Sequence, residues 1–97
     1  MILSELQTEL LRRLRSAAAY RVDRTITYRS EWLGYLPYGA YHWITIGKSD
    51  VTPGLPRNWQ LSDLRVLEAA GVLRKVHEWQ NPDEEHELTV SYELSES

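Results

Sequence analysis

The chain has 97 residues, of which 42% are hydrophobic and 26% charged, and this size and balance predict one folded domain over residues 1–97. It contains no cysteine, which excludes disulfide bonds and cysteine-ligated metal sites. No apolar run approaches the roughly 20 residues that a membrane-spanning helix needs, and the N-terminus has no signal-peptide core. We therefore expect a cytoplasmic protein that does not enter a membrane.

The net charge of −3 is distributed unevenly along the chain. Residues 1–30 contain six arginines and three acidic residues, whereas residues 76–97 contain seven acidic residues and no lysine or arginine. The basic segment could bind nucleic acid or an acidic partner, or it could pair with the protein's own acidic end. The charge pattern leaves these alternatives open.

Leucines at helical spacing predict a first helix over residues 3–19. The leucines that share one face are Leu3, Leu6, Leu10 and Leu14. Ser4 followed by Gln7 has the spacing of a capping box, which would satisfy backbone N–H groups at the start of the helix. Glu9 and Arg13 stand four residues apart and predict a favourable ion pair.

Alternation and β-branched residues predict a strand over residues 21–29, RVDRTITYR. Val22, Ile26 and Tyr28 fall on one side of it, and we expect that side to be buried. The following segment SEWLGYLP, residues 30–37, is compatible with a short helical turn that a serine begins and a proline ends.

A second strand and a loop come next. Residues 41–46, YHWITI, are rich in aromatic and β-branched residues and predict a strand, with Trp43 in the core. Residues 47–58, GKSDVTPGLPRN, hold two glycines and two prolines and predict a loop.

The last third of the chain predicts a helix followed by a β-hairpin. Leucines at helical spacing place the second helix over residues 59–70, and Gly71 takes the left-handed position that ends it. A third strand over residues 72–79 is joined by a polar turn to a fourth strand, and residues 94–97 are expected to fray. The inward-facing residues of the fourth strand are Leu88, Val90, Tyr92 and Leu94.

The predicted order α-β-β-α-β-β is that of a small α+β domain with an antiparallel sheet and two helices. Residues 61–94 resemble the C-terminal half of bacterial winged helix transcriptional regulators, in which a helix patterned LxxLxxLxxAG leads into a strand, a polar hairpin and a returning strand. The matching residues are Leu61, Leu64, Leu67, Ala70, Gly71, Val72, Leu73, Tyr92 and Leu94. The resemblance implies a winged-helix-like fold whose helix enters the DNA major groove while the hairpin touches the backbone.

Four basic residues around the second helix are candidates for contacts with DNA phosphates or base edges: Arg57, Arg65, Arg74 and Lys75. The alternative interpretation is a solvated helix face with cations near its C-terminal end. The ordered motif residues favour a DNA-linked regulator as the first hypothesis.

A protein-binding adaptor or inhibitor without enzymatic activity is the alternative hypothesis. Its candidate surface combines a tyrosine-rich segment and an acidic hairpin, with Tyr35, Tyr38, Tyr41, Glu84 and Glu85. The same tyrosines could instead fill the core, and the acidic turn could simply be solvated. A homodimer formed through the first helix is compatible with either hypothesis.

Catalysis has little support in the sequence. His42, His77 and His86 do not have metal-ligand spacing, and no nucleophile elbow, phosphate loop or dinucleotide fingerprint is present. We therefore expect no enzymatic activity, no cofactor and no metal.

Overall fold

The structure is a computed structural model that describes residues 2–33 and 39–95, and it confirms the α+β class and the predicted order of elements. The elements are α1 (Glu5–Ala18), β1 (Ile26–Leu33), β2 (Gly39–Ile46), β3 (Ser49–Asp50), α2 (Leu61–Ala69), β4 (Leu73–Gln80) and β5 (Leu88–Leu94). The two-residue strand β3 and a 3₁₀ turn over Thr52–Gly54 are additions within the segment that we predicted as a loop.

Helix α1 begins at the predicted capping box. The Gln7 backbone N–H donates to Ser4 Oγ at 3.1 Å, and the Ser4 N–H donates to Gln7 Oε1 at 2.9 Å. The predicted ion pair is also present, with Arg13 Nε 2.7 Å from Glu9 Oε1. Arg12 joins the same carboxylate.

Helix α2 ends at Gly71, as predicted. This glycine has φ +81°, and its N–H donates to the Glu68 carbonyl oxygen at 3.0 Å while the Val72 N–H donates to that of Leu67 at 3.1 Å. These two bonds define a Schellman motif, which satisfies carbonyl groups that the helix leaves free. The predicted start at residue 59 is wrong, because the Gln60 N–H donates to Asp63 Oδ2 at 2.8 Å and caps a helix that begins at Leu61.

The strands form one antiparallel sheet in the order β3-β2-β1-β5-β4. Its inner face packs against both helices and contributes Ile26, Tyr28, Ile44, Ile46, Val90 and Tyr92 to the core. The helices contribute Leu10, Leu11, Leu14, Ala18, Leu64 and Leu67. The opposite side, the outer face, bears the alternate residues of the same strands, among them Thr27, Arg29, Trp43 and Thr89.

The outer face is not covered by any element of the described chain. Its central residues are half-buried or exposed, in contrast to the buried residues that alternate with them. Thr27 Oγ1 and Ser91 Oγ lie 3.4 Å apart there, which places both side chains on this side of the sheet. The domain therefore has two layers, one helical and one of strands.

Strand β1 starts later than predicted and continues further. Asp23 Oδ1 accepts the Thr25 N–H at 3.0 Å, and this local turn keeps Val22 exposed and outside the sheet. The helical turn that we predicted from Ser30 is wrong over residues 30–33, which are strand, because they pair with residues 39–42 of β2. Residues 34–37 of that prediction lie outside the described residues.

The prediction that Trp43 belongs to the core is also wrong. Ile44 and Ile46 face the helices, so His42 shares their side and Trp43 projects from the outer face. Pairing with β1 sets this orientation, and it puts a histidine rather than an indole inside.

The winged helix resemblance stays a prediction. Such regulators carry a helix directly before the recognition helix, whereas β3 and the 3₁₀ turn occupy the corresponding segment between β2 and α2. The expected fraying from residue 94 also stays a prediction; Leu94 is paired with Leu73, and the Ser95 N–H donates to the Val72 carbonyl oxygen at 3.0 Å. Within the described residues no helix has the length and apolar character to cross a bilayer.

Candidate functional site

The four basic residues predicted to contact DNA do not form one cluster. Arg65 on α2 and Lys75 on β4 do come together, because each lies beside Oε1 of Glu78, at 3.5 Å and 3.4 Å. Arg74 forms its ion pair with Glu93, and the alternation of a strand points it to the outer face, away from Lys75. Arg57 lies exposed in the loop before α2.

These pairings lower the positive potential that the predicted site could offer. Both side chains of each ion pair are more than a third exposed, so each pair adds little to the stability of the fold. A phosphate group would nevertheless have to compete with Glu78 and Glu93 for the same cations, and DNA affinity depends largely on such cations.

The predicted protein-binding residues are partly brought together. Tyr35 and Tyr38 lie outside the described residues. Tyr41 and Glu85 line one cleft, of about 420 Å³, between the end of the sheet, the start of α2 and the turn of the β4–β5 hairpin. Glu84 belongs to that turn, where its carboxylate accepts the His86 backbone N–H at 3.1 Å.

Tyr28 and His42 form the floor of this cleft, and Trp59 packs against both of them from the core. Trp59 stacks on His42 with ring centroids 4.2 Å apart, and Tyr28 meets both rings edge-on at 5.9 Å and 5.6 Å. The Tyr28 hydroxyl lies 3.2 Å from His42 Nδ1. The sequence analysis missed this cluster, since residues 28, 42 and 59 come from three separate segments.

Burial favours the uncharged forms of Tyr28 and His42 at the floor of the cleft. It lowers the pKa of His42 below its ordinary value, and it raises the pKa of Tyr28 against the smaller opposing effects of Ser30 and Arg65. Ser30 Oγ donates to the His86 carbonyl oxygen at 2.7 Å, which ties β1 to the hairpin turn. The cleft can accept an uncharged side chain or ring from a binding partner.

Among the strand residues whose side chains the structure describes, the large apolar side chains that are exposed lie on β4, an edge strand of the sheet. Every residue of β4 after Leu73 is exposed, including Val76 at 46% and Trp79 at 44%. The pairing with β5 is interrupted by a β-bulge, which leaves Val76 unpaired between Lys75 and His77. The sequence predicted the strand, but its position at the edge depends on the order of the sheet.

The free backbone groups of β4 follow from the hydrogen bonds at its two ends. The Ser95 N–H donates to the Val72 carbonyl oxygen and the Asn81 N–H donates to that of Glu87, so Val72 and Asn81 each direct a backbone group towards β5, as residues of the hydrogen-bonded pairs of an antiparallel ladder do. Along an antiparallel strand, every second residue directs its N–H and C=O groups to the same neighbour. Because Val76 is an extra residue without a partner in β5, the alternation resumes at His77 opposite Ser91. The residues whose N–H and C=O groups point away from β5 are therefore Leu73, Lys75, Glu78 and Gln80.

A row of side chains crosses the outer face from β2 to this edge. Arg29 lies opposite Trp43 on one side and Thr89 on the other, and Thr89 lies opposite Trp79. The row thus begins and ends with an indole, and Trp79 belongs both to the outer face and to the β4 edge.

Comparisons with known proteins found no match: no family model, no curated protein and no solved structure matches the chain. Among the described residues no group of histidine and acidic side chains is arranged to hold a metal ion. Any assignment of function therefore rests on the geometry of the chain itself.

Proposed function

We propose that this protein is a non-enzymatic protein-binding module that accepts an extended strand of its partner along the edge of β4. The observation that carries the proposal is the exposure of β4: eight residues of edge strand with unused backbone groups, and with Val76 and Trp79 in contact with solvent. Strand addition is a recurrent mode of protein recognition, in which the backbone supplies affinity and the side chains supply specificity.

Trp79 is the expected anchor of this interface. A tryptophan that becomes buried on binding commonly dominates the binding energy, and its neighbours then mainly exclude water. The charged residues of β4 have a second role, since charges and bulges on an edge strand suppress indiscriminate pairing. Arg74, Lys75 and Glu78 would thus select the partner strand.

A photo-crosslinking experiment tests the proposal. Trp79→p-benzoylphenylalanine replaces the exposed indole of β4 by a photoreactive aromatic side chain, which keeps a large apolar ring at the anchor position, and Tyr20→p-benzoylphenylalanine is the matched control at a fully exposed position outside the sheet. We expect a discrete covalent adduct with another polypeptide from position 79 and none from position 20. The absence of adducts from position 79, or the same adducts from both positions, would overturn the proposal.

Duplex DNA is the second candidate partner, as the winged helix resemblance implies. The observation in its favour is that α2 and β4 bring Arg65 and Lys75 to the same carboxylate. Retardation of duplex DNA at low salt, weakening steeply as salt is added, is the expected result. Glu78→Gln would strengthen it by releasing both cations; no retardation by either protein would eliminate this candidate.

A further inference from the structure

We infer that the strand accepted by β4 is β4 of a second copy of this chain, which runs antiparallel to the first so that Lys75 of each copy faces Glu78 of the other. The inference rests on the proposed function and names its partner. In this arrangement the two-fold axis passes between the strands at the bulge around Val76, and the two five-stranded sheets join into one.

The free backbone groups of β4 match in this register. Lys75 and Glu78 both direct their N–H and C=O groups to the open edge, and so do Leu73 and Gln80, as derived from the bonds at the ends of the hairpin. Lys75 would meet Glu78 of the second copy, and Leu73 would meet Gln80. Each is a pair in which both residues can exchange two hydrogen bonds.

The bulge allows Lys75 and Glu78 of the second copy to lie on the same face of the joined sheet. In two regular antiparallel strands related by a two-fold axis, residues separated by an odd number of positions cannot face each other on the same side of the sheet, because side chains alternate. Lys75 and Glu78 are three apart, yet the extra residue Val76 places both on the inner side. The bulge of one copy lies opposite the bulge of the other, so the strands stay matched in length.

Charge selects this register over its neighbours. A shift of the second strand by one repeat of the ladder, which is three residues when the bulge is counted, places Lys75 opposite Lys75 of the second copy. A shift in the other direction places Glu78 opposite Glu78. Like charges directly opposite each other destabilise a strand pair, whereas the proposed register has a Lys–Glu pair at both symmetry-related positions.

The outer side of the strand supports the same register. Arg74 and Trp79 both project from the outer face, on either side of the bulge. Between two copies, Arg74 would lie opposite Trp79 in a pair without backbone hydrogen bonds, where side chains approach most closely. A guanidinium over an indole is a favourable contact, and it would cover the apolar ring that the isolated chain leaves exposed.

The first test is the mass of the wild-type chain in solution. Sedimentation equilibrium at concentrations on the order of 100 μM, above the dissociation constants of many small interfaces, should give twice the 11.3 kDa of one chain. A mass of one chain at that concentration would overturn the inference.

The second test uses two variants that should complement each other. Lys75→Glu and Glu78→Lys each place like charges across the axis, so each alone should dimerise at least about tenfold more weakly. An equimolar mixture should form a heterodimer, because every cross-axis pair is then of opposite sign. Rescue by mixing requires that both variants are folded, and its absence would disprove the register. Lys48→Glu, which changes the same charge at an exposed position outside β4, is the control and should dimerise normally.

Amide hydrogen exchange gives an independent readout at single residues. The amides of Lys75 and Glu78 should exchange more slowly as the protein concentration rises, whereas those of Arg74 and Trp79, which are directed to β5, should not change. Exchange at Lys75 and Glu78 that is independent of concentration would contradict pairing between two copies.

The crosslinking experiment separates failure of this inference from failure of the proposed function. An adduct of two chain masses from position 79 supports both. An adduct of another mass, from a chain that sediments as a monomer, rejects the second copy but keeps strand addition. No adduct of any mass rejects both.

Discussion

The indole of Trp59 lies flat on the imidazole of His42, with ring centroids 4.2 Å apart and ring planes inclined by 10°. This stack joins the segment before α2 to the middle of β2, and Tyr28 of β1 closes it from the side. Trp59 is almost completely buried and belongs to the core, whereas His42 and Tyr28 also line the cleft.

Removal of the Trp59 ring should be among the most damaging single changes. Trp59→Ala leaves a large cavity beside His42 and Tyr28, and we expect the free energy of unfolding to fall by about 3–5 kcal/mol. Urea denaturation measures this loss, and Tyr20→Ala at a fully exposed position is the control. An equal effect of both changes would mean that the stack does not contribute to the core.

Burial of His42 predicts a dependence of stability on pH. Because burial lowers the pKa of folded His42 below the unfolded value of 6.5, the unfolded chain binds the proton more tightly. The free energy of unfolding should therefore be highest above pH 6.5 and decrease as the pH falls from there through the lowered pKa. The plot of unfolding free energy against pH should be flatter for His42→Gln in this window, whereas Val22→Ala, at an exposed position outside the sheet, should keep the slope of the wild type.

A second acidic window is expected from Glu9. Its hydrogen bonds with Arg12 and Arg13 lower the pKa of Glu9 to about 2, from an ordinary value of 4.5. The stability that these contacts contribute is thus present above pH 4.5 and lost as the pH falls towards 2. Glu9→Gln should reduce the slope of unfolding free energy against pH in this range. Thr8→Ala, at the exposed position beside Glu9, is the comparison, and equal slopes in the two variants would contradict the prediction.

The hydroxyl of Tyr92 is buried without a hydrogen-bond partner among the described residues. Burial also raises the pKa of Tyr92 to about 12, with a smaller contribution from Glu68. Because an unsatisfied buried hydroxyl costs about 1–3 kcal/mol, Tyr92→Phe should raise the free energy of unfolding, by about 1 kcal/mol. Tyr28→Phe removes a hydroxyl that contacts His42 and should have the opposite sign. Destabilisation by both substitutions would show that Tyr92 has a partner.

At Gly71 the free-energy cost of a left-handed backbone conformation can be measured without a contribution from steric clash. A Cβ added there would meet no atom within 4 Å, so Gly71→Ala should lose about 1–2 kcal/mol through the φ of +81° and not through a clash. Gly54→Ala is the matched control, since a Cβ at that position also meets nothing and its φ is not positive. Thermal denaturation should separate the two variants, and coincident curves would be the contrary result.

Local signals were sufficient wherever the deciding contacts lie within a few residues. The Ser4–Gln7 capping box of α1 and the ending of α2 at Gly71 were predicted correctly, because the hydrogen bonds of both join residues no more than five positions apart. The strand at the C-terminus was predicted from its alternation, and the structure buries Val90 and Tyr92 accordingly.

Predictions failed where a distant segment decides the outcome. Residues 30–33 are compatible with a helical turn, but pairing with residues 39–42 makes them strand. Trp43 has the character of a core residue, yet the register of β2 against β1 assigns the inner side to His42. In both cases the hydrogen-bonded partner strand overrides local propensity.

In the candidate site, too, the residue types follow from the local sequence, whereas their arrangement depends on distant segments. That Arg65, Lys75 and Glu78 are charged and near α2 was readable in the chain, but their convergence on one carboxylate depends on how α2 packs beside β4. The cluster of Tyr28, His42 and Trp59 could not be inferred, because three distant segments build it.

The sequence by itself determined the two helices, the cap of the first and the glycine ending of the second, the strand-forming segments and the α+β class, because helix caps, glycine endings and alternation act over short stretches of chain. The tertiary structure alone decided which strand lies at the edge, which face of the sheet is left open and which charges are neutralised. The order β3-β2-β1-β5-β4 is a consequence of pairing between residues up to 66 positions apart, as Ile26 and Tyr92 are. That order leaves the backbone groups of β4 free and exposes Trp79 beside them.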